Sequence, residues 1–233
     1  MRTSKRTAHL AGVLYLLLAI GGFYSMMIVP GAMIVRGDAA ATAHNIATGE
    51  FTFRLGLFSG LASNVLFLFL GLVLYELFES VSRSQVRLLV ALVLVEVLLG
   101  VFSLSFEAAP LVLLSGADFL SPFTKPQLDA LAYSFLRLHG TGIQFAMAFW
   151  GLWLFPFGFL VIRSRFFPRI LGWLLYVNGV AYLVVCGAGI LFPARADAVN
   201  KVMLPFYSVG ELATILWLLV MGAKVPQEAP AAS

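Results

Sequence analysis

The stretch LLVALVLVEVLLGVFSLSF, residues 88–106, decides the fold, because this long run contains a single charged side chain, that of Glu96. A helix of about 20 apolar residues is long enough to cross the hydrocarbon core of a bilayer. Backbone N–H and C=O groups find no water in hydrocarbon, so a helix that pairs them internally is the expected structure. The stretch therefore predicts a membrane-spanning helix that carries a carboxyl group near its middle.

The composition of the whole chain supports this interpretation. Hydrophobic residues make up 61% of the 233 residues and charged residues only 11%, whereas a soluble domain carries about 45–50% apolar and about 25% charged residues. The net charge of +4 does not indicate a nucleic-acid partner, because the Lys and Arg residues bracket apolar runs and form no basic stripe with interleaved aromatic residues. The single cysteine, Cys186, excludes an intrachain disulfide and a cysteine-based metal cluster.

Six apolar runs are long enough to cross a bilayer, and the connections between them are too short for a soluble domain. We therefore predict an all-α fold, in which residues 1–233 form a single integral membrane domain. Six transmembrane helices and short outer interfacial helices make up this polytopic bundle, and the Pro- and Ala-rich residues 224–233 form a disordered tail. The predicted spans cover residues 10–29, 55–78, 87–114, 140–162, 169–192 and 203–222.

The basic residues predict how the chain is oriented. More Lys and Arg residues flank the span ends on the side of the two termini than on the opposite side. An excess of positive charge in short loops marks the cytoplasmic side of a membrane protein. We therefore expect both termini in the cytoplasm.

Two connections on the opposite side have helical patterns of their own. After the first span, Asp38 is placed as the N-cap of a short alanine-rich helix that ends near Gly49. Before the fourth span, residues 124–138 repeat apolar side chains at helical spacing, which predicts an amphipathic helix at the outer interface. Gly140 and Gly142 then allow either a bend or a close helix contact.

Polar side chains inside the predicted spans are the most informative positions. A charged group at the centre of a membrane helix costs about 2.5–3.5 kcal/mol on insertion scales. Five of the spans carry a strongly polar group near mid-depth, so we expect these groups to converge on the interior of the bundle. These candidate binding or proton-coupling residues are Asn64, Glu96, Gln144, Asn178 and Glu211.

Glu96 and Glu211 are the strongest candidates, because no Lys, Arg or His lies at their depth in the spans. Either the two carboxyls meet and share a proton, or they line a wet cavity. The three amides are most simply explained as interhelical hydrogen bonds.

A second polar group, nearer the outer face, is predicted to form the mouth of a site. Glu107 lies in the outer third of the third span, and Arg54 and Arg137 open the second and fourth spans at the same boundary. His139 lies beside Arg137, so both residues are expected at the level where Glu107 needs a partner. The simpler alternatives are arginines that extend to lipid headgroups and a structural ion pair of Glu107.

The order of four segments along nearly the whole chain resembles the bacterial family of polytopic membrane proteins known as domain of unknown function 4386. The resemblance implies a multi-span protein of the bacterial cytoplasmic membrane, and it brings no known reaction or catalytic residue. The segments are LAGVLYLLLAI, GDAAATAHNIATGEFTFRLGL, QLDALAYSFLRLHGTGIQFAMAFWGLWLFPFGFLVIRSRFFPRILGWLLYVNGVAYLV and GELATILWLLVMG.

Three functions fit this pattern. The first is small-molecule or proton-linked transport or binding through an outward-facing polar cavity, with Glu96 and Glu211 at its floor. The second is a membrane-embedded enzyme acting on lipid, with Glu107, His139 and His44 as acid–base or metal-binding groups, although no H-E-x-x-H or G-x-S-x-G motif is present. The third is a non-catalytic partner or sensor subunit in a homo- or hetero-oligomer.

The lipid bilayer is the expected surrounding, with a small molecule or lipid as a possible ligand and no metal or cofactor. The tryptophans, including Trp150, are interpreted as span and belt residues that need no cofactor to explain them.

Overall fold

A computed structural model describes residues 2–165 and 167–222. Six helices in these ranges are long and apolar enough to cross a membrane, and no strand is found among the described residues. The predicted all-α, multi-pass fold is thus confirmed, while the predicted disordered tail over residues 224–233 lies outside the described residues. The helices are α1 (Arg2–Phe23), α2 (Val29–Met33), α3 (Ala39–Thr48), α4 (Glu50–Phe78), α5 (Arg83–Leu113), α6 (Lys125–Leu152), α7 (Leu154–Ser164), α8 (Arg169–Leu191) and α9 (Ala196–Val220).

The first span, Lys5–Met33, joins α1 to α2 through a π-helical turn at Tyr24–Ile28. In this turn the Val29 N–H donates to the Tyr24 carbonyl, five residues earlier. Pro30 follows directly, and a proline has no N–H and crowds the carbonyl four residues before it. The wider turn accommodates this proline without ending the span.

The short helix α3 forms where the sequence predicted it. Asp38 Oδ1 accepts a hydrogen bond of 2.8 Å from the Ala41 N–H, and Gly49 is the C-cap. An N-cap carboxylate pairs one of the free N–H groups of the first helical turn, which explains why the helix begins here.

Helix α6 runs without a break from the predicted interfacial segment into the fourth span, and only Trp153 separates it from α7. Gly140 and Gly142 therefore introduce no interruption of the helix. A Cβ atom on Gly142 would lie 2.5 Å from Ser103 Oγ of α5, so the close helix contact is what this glycine provides.

The helices group into two compact units. Helices α8 and α9 belong to the first unit, whereas α1, α4, α5 and α6 contribute residues to both. The single domain over residues 1–233 stays a prediction. The first unit comprises residues 2–16, 67–96, 147–165 and 167–222, and the second comprises residues 17–66 and 97–146.

The first unit packs two pairs of glycines face to face. A Cβ on Gly151 would lie 2.7 Å from the Gly179 carbonyl oxygen, and a Cβ on Gly158 would lie 2.8 Å from that of Gly172. The pairing is antiparallel, with Gly151 and Gly158 preceding a turn and Gly172 and Gly179 following it. Only glycine permits two helix backbones to approach this closely.

The second unit packs glycines against polar side chains. A Cβ on Gly21 would lie 2.5 Å from Ser63 Oγ, and a Cβ on Gly60 would lie 2.7 Å from Ser25 Oγ. In the same way Gly142 faces the Ser103 hydroxyl and Gly100 faces the Asn64 amide. Each missing side chain makes room for a hydroxyl or amide on the neighbouring helix.

Candidate functional site

Glu96 lies in the part of α5 that belongs to the first unit and is only 5% exposed. Its Oε1 accepts a hydrogen bond of 2.6 Å from the indole Nε1–H of Trp150 in α6. Its Oε2 is buried and has no hydrogen-bond partner within residues 2–165 and 167–222. A buried polar atom without a partner is destabilising by about 1–3 kcal/mol, so a proton or a cationic ligand would gain most at this oxygen.

Glu211 lies in α9, also in the first unit, and is half-buried. Its Oε1 accepts a hydrogen bond from the Tyr15 hydroxyl of α1. Its Oε2 accepts one of 3.1 Å from the Tyr182 hydroxyl of α8. Three helices thus position one carboxyl group, and both of its oxygens face phenol donors.

Asn178, which is 1% exposed, fixes the turn of α9 that carries Glu211. Its Nδ2 donates a hydrogen bond of 3.1 Å to the Tyr207 carbonyl, and its Oδ1 accepts one of 3.1 Å from the Gly210 N–H. A Cβ on Gly210 would lie 2.7 Å from Asn178 Oδ1, so the amide fits only against glycine. Asn178 therefore positions the turn of α9 that carries Glu211.

Aromatic rings connect the two carboxyls. Tyr182 stacks on Tyr207 with ring centroids 4.8 Å apart, and Trp150 meets Tyr182 edge-on with centroids 5.9 Å apart. The partner of Glu96 therefore touches a partner of Glu211, which places both carboxyls in one cluster of side chains. We call Tyr15, Glu96, Trp150, Tyr182, Tyr207 and Glu211 the acid–aromatic cluster.

Among the described residues, no basic side chain forms an ion pair with this cluster. In the described part of the chain neither Glu96 nor Glu211 takes part in an ion pair; the described ion pairs join other residues. By contrast, Asp129 is equally buried and its Oδ2 lies 2.7 Å from the Lys125 ammonium. The cluster therefore combines two acids with uncharged hydrogen-bond donors.

In the second unit, Glu107 is paired with His139. Glu107 is 3% exposed, and its Oε2 lies 3.7 Å from His139 Nε2. The Ser103 hydroxyl donates a hydrogen bond of 2.9 Å to the His139 carbonyl, and His139 Nδ1 lies 3.1 Å from the Ser103 carbonyl oxygen. Because a carbonyl only accepts, we assign the proton on His139 to Nδ1, which leaves Nε2 facing Glu107.

These contacts hold α5 against α6 and do not form a nucleophilic site. Ser103 is 1% exposed and the proton of its hydroxyl is committed to a backbone carbonyl. A serine nucleophile needs a base that takes this proton and an accessible oxygen. His44 lies exposed on α3, and the described residues contain no group of three or more His, Cys, Asp or Glu side chains arranged to hold a metal ion.

The two arginines of the predicted mouth form no described ion pair with Glu107, so the mouth stays a prediction. Arg54 Nε lies 2.6 Å from Glu50 Oε1, one helical turn earlier, and both side chains are more than half exposed. Arg137 is exposed, and its guanidinium has no ion pair among residues that the structure describes. Of the four predicted mouth residues, only Glu107 and His139 are brought together.

Two of the five mid-depth residues, Asn64 and Gln144, belong to the second unit. Asn64 Nδ2 donates a hydrogen bond of 2.9 Å to the Gly60 carbonyl of its own helix, and its Oδ1 packs against Gly100. Gln144 is half-buried in α6. Asn178, Glu96 and Glu211 lie in the first unit, and the convergence of all five on one interior stays a prediction.

Residues 10–222 match the family model described as Domain of unknown function (DUF4386). The chain belongs to this family. No curated protein and no solved structure matches it. The family description names no activity, so the function of this DUF4386 chain has to be argued from the chemistry of its clusters.

All four aromatic members of the acid–aromatic cluster were missed as site residues in this DUF4386 chain, and the position of three of them, Tyr15, Trp150 and Tyr182, is informative. Trp150 in particular was interpreted as a span or belt residue. Tyrosine and tryptophan are enriched at the two ends of membrane spans, where their polar tips reach water. These three lie well inside the predicted spans instead, and a polar tip there needs a buried acceptor. Their depth was therefore a signal that could have identified them.

Proposed function

We propose that this chain is a multi-pass protein of the bacterial cytoplasmic membrane, with both termini in the cytoplasm, that binds and transports a small molecule in a proton-linked manner. Glu96 and Glu211 are the proton-carrying residues. The observation that carries the proposal is a pair of carboxyls on membrane-spanning helices that accept hydrogen bonds from aromatic donors in one cluster and, among the described residues, form no ion pair.

Charge burial explains why such a cluster takes up a proton. Removing a carboxylate from water costs several kcal/mol unless an opposite charge compensates it. Two interacting carboxyls without a cation carry this cost twice and repel each other, so binding at least one proton stabilises them. A ligand that competes with this proton is coupled to it by the same free energy.

The hydrogen bonds of the cluster suit a carboxyl that changes its protonation state. Indole and phenol donors remain in place when the proton leaves, and they stabilise the negative charge that is left. A purely structural acid, such as Asp129 with Lys125, is held by a fixed opposite charge and has no need of a proton. Glu96 and Glu211 can keep their hydrogen bonds in both the protonated and the deprotonated state.

Infrared difference spectroscopy on the chain reconstituted in lipid tests the proposal. Between acidic and alkaline buffer we expect a C=O stretching band of a protonated carboxyl to disappear, and Glu96→Gln and Glu211→Gln each to remove part of that band. Glutamine keeps the size of the side chain and an acceptor for Trp150 or Tyr15. Glu50→Gln, at an exposed carboxylate, is the control that leaves the band unchanged. A band that is identical in wild type and in both Glu96→Gln and Glu211→Gln rejects the proposal.

A further inference from the structure

We propose that the ligand of the acid–aromatic cluster is a lipophilic organic cation, a bulky monovalent ion of the quaternary ammonium or phosphonium type. The inference rests on the proposed function, because the cation takes the place of a proton on Glu96 and Glu211. It assigns the chemical class of the ligand.

The charge of the cluster favours a cation as its ligand. Its ionisable groups are two carboxyls and three phenols, and an anionic ligand would add to the repulsion between the carboxyls. Glu96 Oε2, on a side chain that is only 5% exposed, has no hydrogen-bond partner among the described residues. This buried acceptor is the place where a positive charge is compensated most strongly.

The aromatic rings select an organic cation over a metal ion. Cations are attracted to aromatic faces within about 6 Å of the ring centroid, most strongly to tryptophan, and quaternary ammonium ligands are recognised in this way. Trp150, Tyr182 and Tyr207 are each half-buried, and their rings lie against one another in the cluster. Hard metal ions instead require six or more oxygen ligands, or ligands with strict geometry, which two carboxyls already bonded to aromatic donors do not provide.

The surface beside Glu211 selects a lipophilic ligand. Tyr207 and Leu204 precede Glu211 by four and seven residues, which places the three side chains on one face of α9. Leu204 is exposed and Tyr207 is half-buried. A cation that reaches the carboxyl along this face meets apolar and aromatic side chains, as an ion with an apolar shell does favourably.

Binding of the cation and release of the proton leave the net charge of the cluster unchanged. One monovalent cation enters and one proton leaves the carboxyl pair to the solvent, so the total charge of the cluster is unchanged. Raising the pH removes the competing proton, so the affinity for the cation rises. Where one proton is exchanged, the apparent dissociation constant falls by up to about tenfold for each pH unit.

The test uses tetraphenylphosphonium as the probe and the full chain in nanodiscs of zwitterionic lipid, with empty nanodiscs to subtract partition into lipid. Isothermal titration calorimetry is expected to give saturable binding that tightens as the pH rises. Glu96→Gln and Glu211→Gln are expected to weaken it at least about tenfold, because each removes a full charge from the site. Asp129→Asn is the matched control, a buried acid with a basic partner, and should bind as the wild type does.

Two comparisons test which features matter. The first separates the charge of the probe from its shape, and the second separates the ring of Tyr207 from its hydroxyl. Tetraphenylborate has the shape of the probe with the opposite charge, and we expect no saturable binding of it. Tyr207→Leu, which removes a ring, is expected to weaken binding at least about threefold more than Tyr207→Phe, which removes only the hydroxyl. Equal binding of both ions, or unchanged phosphonium binding in both glutamine variants, overturns the inference.

The infrared experiment separates this inference from the proposed function. If the carboxyl band titrates through Glu96 and Glu211 but the phosphonium neither binds nor displaces the proton, the ligand class is wrong and the proton-linked function stands. If neither glutamine variant changes the band, the proposed function itself fails. Should a glutamine variant fail to fold, the pH dependence of wild-type binding and the two Tyr207 variants decide the outcome.

Discussion

The two units treat polar groups in an apolar setting differently. In the second unit, Glu107 faces a histidine, the Ser103 hydroxyl donates to a backbone carbonyl, and Asn64 bonds within its own helix. In the first unit, Glu96 and Glu211 accept hydrogen bonds from aromatic donors and take part in no ion pair among the described residues. The contrast lies in the partners: the second unit sets its buried carboxyls, Glu107 and Asp129, beside a histidine and a lysine, whereas the first sets Glu96 and Glu211 beside uncharged donors.

The two units also contain different kinds of close glycine contact. The Gly151–Gly179 and Gly158–Gly172 pairs of the first unit bring glycine against backbone, whereas four glycines of the second unit face a serine or asparagine side chain, namely Gly21, Gly60, Gly100 and Gly142. A backbone atom cannot rotate away from an added methyl group, but a side chain can be shortened by substitution. The two units should therefore respond differently when their glycines are changed.

The largest expected effect is that of Gly172→Ala in the first unit. The added Cβ would lie 2.6 Å from the Gly158 carbonyl oxygen and 2.5 Å from Ile162 Cγ1. We expect the free energy of unfolding to fall by about 3 kcal/mol or more, at the upper end of overpacking effects. Unfolding by SDS in mixed micelles measures it. Gly187→Ala, on the same helix with nothing within 4 Å of the added Cβ, is the control and should be neutral or stabilising by up to about 1 kcal/mol. Equal stability of the two variants would contradict the backbone contact.

The next largest effect concerns the Glu107–His139 pair. His139→Ala leaves a buried carboxyl without its partner, so we expect a loss of about 2 kcal/mol in the free energy of unfolding. In a Glu107→Gln background the same substitution should cost at least about 1 kcal/mol less, because no charge is then stranded. The double-mutant cycle, measured by the same unfolding assay, gives this difference directly. Additive effects would mean that the 3.7 Å contact contributes nothing.

A smaller effect, and one that can be reversed, is expected at Gly21 in the second unit. Gly21→Ala places a Cβ 2.5 Å from Ser63 Oγ and should lower the free energy of unfolding by about 1–2 kcal/mol. Ser63 Oγ is buried without a hydrogen-bond partner in the described ranges, so Ser63→Ala removes the clash without breaking a bond. The double variant should regain most of the wild-type stability. A double variant that is no more stable than Gly21→Ala would place the strain elsewhere.

The smallest effect is expected for Glu50→Gln. Its ion pair with Arg54 is more than half exposed on both sides, and exposed pairs contribute about 0–1 kcal/mol. A change in the free energy of unfolding within about 0.5 kcal/mol is expected. A much larger loss in the same unfolding assay would show that this pair is more than a surface contact.

Local signals made much of this fold predictable from the sequence. Apolar length identified the six spans, and Asp38 with Gly49 marked the two ends of α3, because both signals act within one segment. The rotation of each helix about its axis is not such a signal. For that reason the partners of Glu96 and Glu211 were not predicted.

The division of the polar residues between two units was also not predictable. Asn64 and Asn178 look alike in the sequence, each an amide within an apolar span. One faces Gly100 and the other faces Gly210 and Tyr207, and these partners come from distant segments. Only the three-dimensional pairing distinguishes an amide that fixes a packing contact from one that positions a carboxyl.

The central claim is that Glu96 and Glu211 act together as one proton-binding pair. An infrared pH titration of the reconstituted chain, comparing wild type with Glu96→Gln, Glu211→Gln and the double variant, tests it most directly. We predict that Glu96→Gln moves the pH midpoint at which the Glu211 band titrates, that Glu211→Gln moves the midpoint of Glu96, and that the double variant loses both bands. Midpoints that are the same whether or not the other carboxyl is present would contradict the claim.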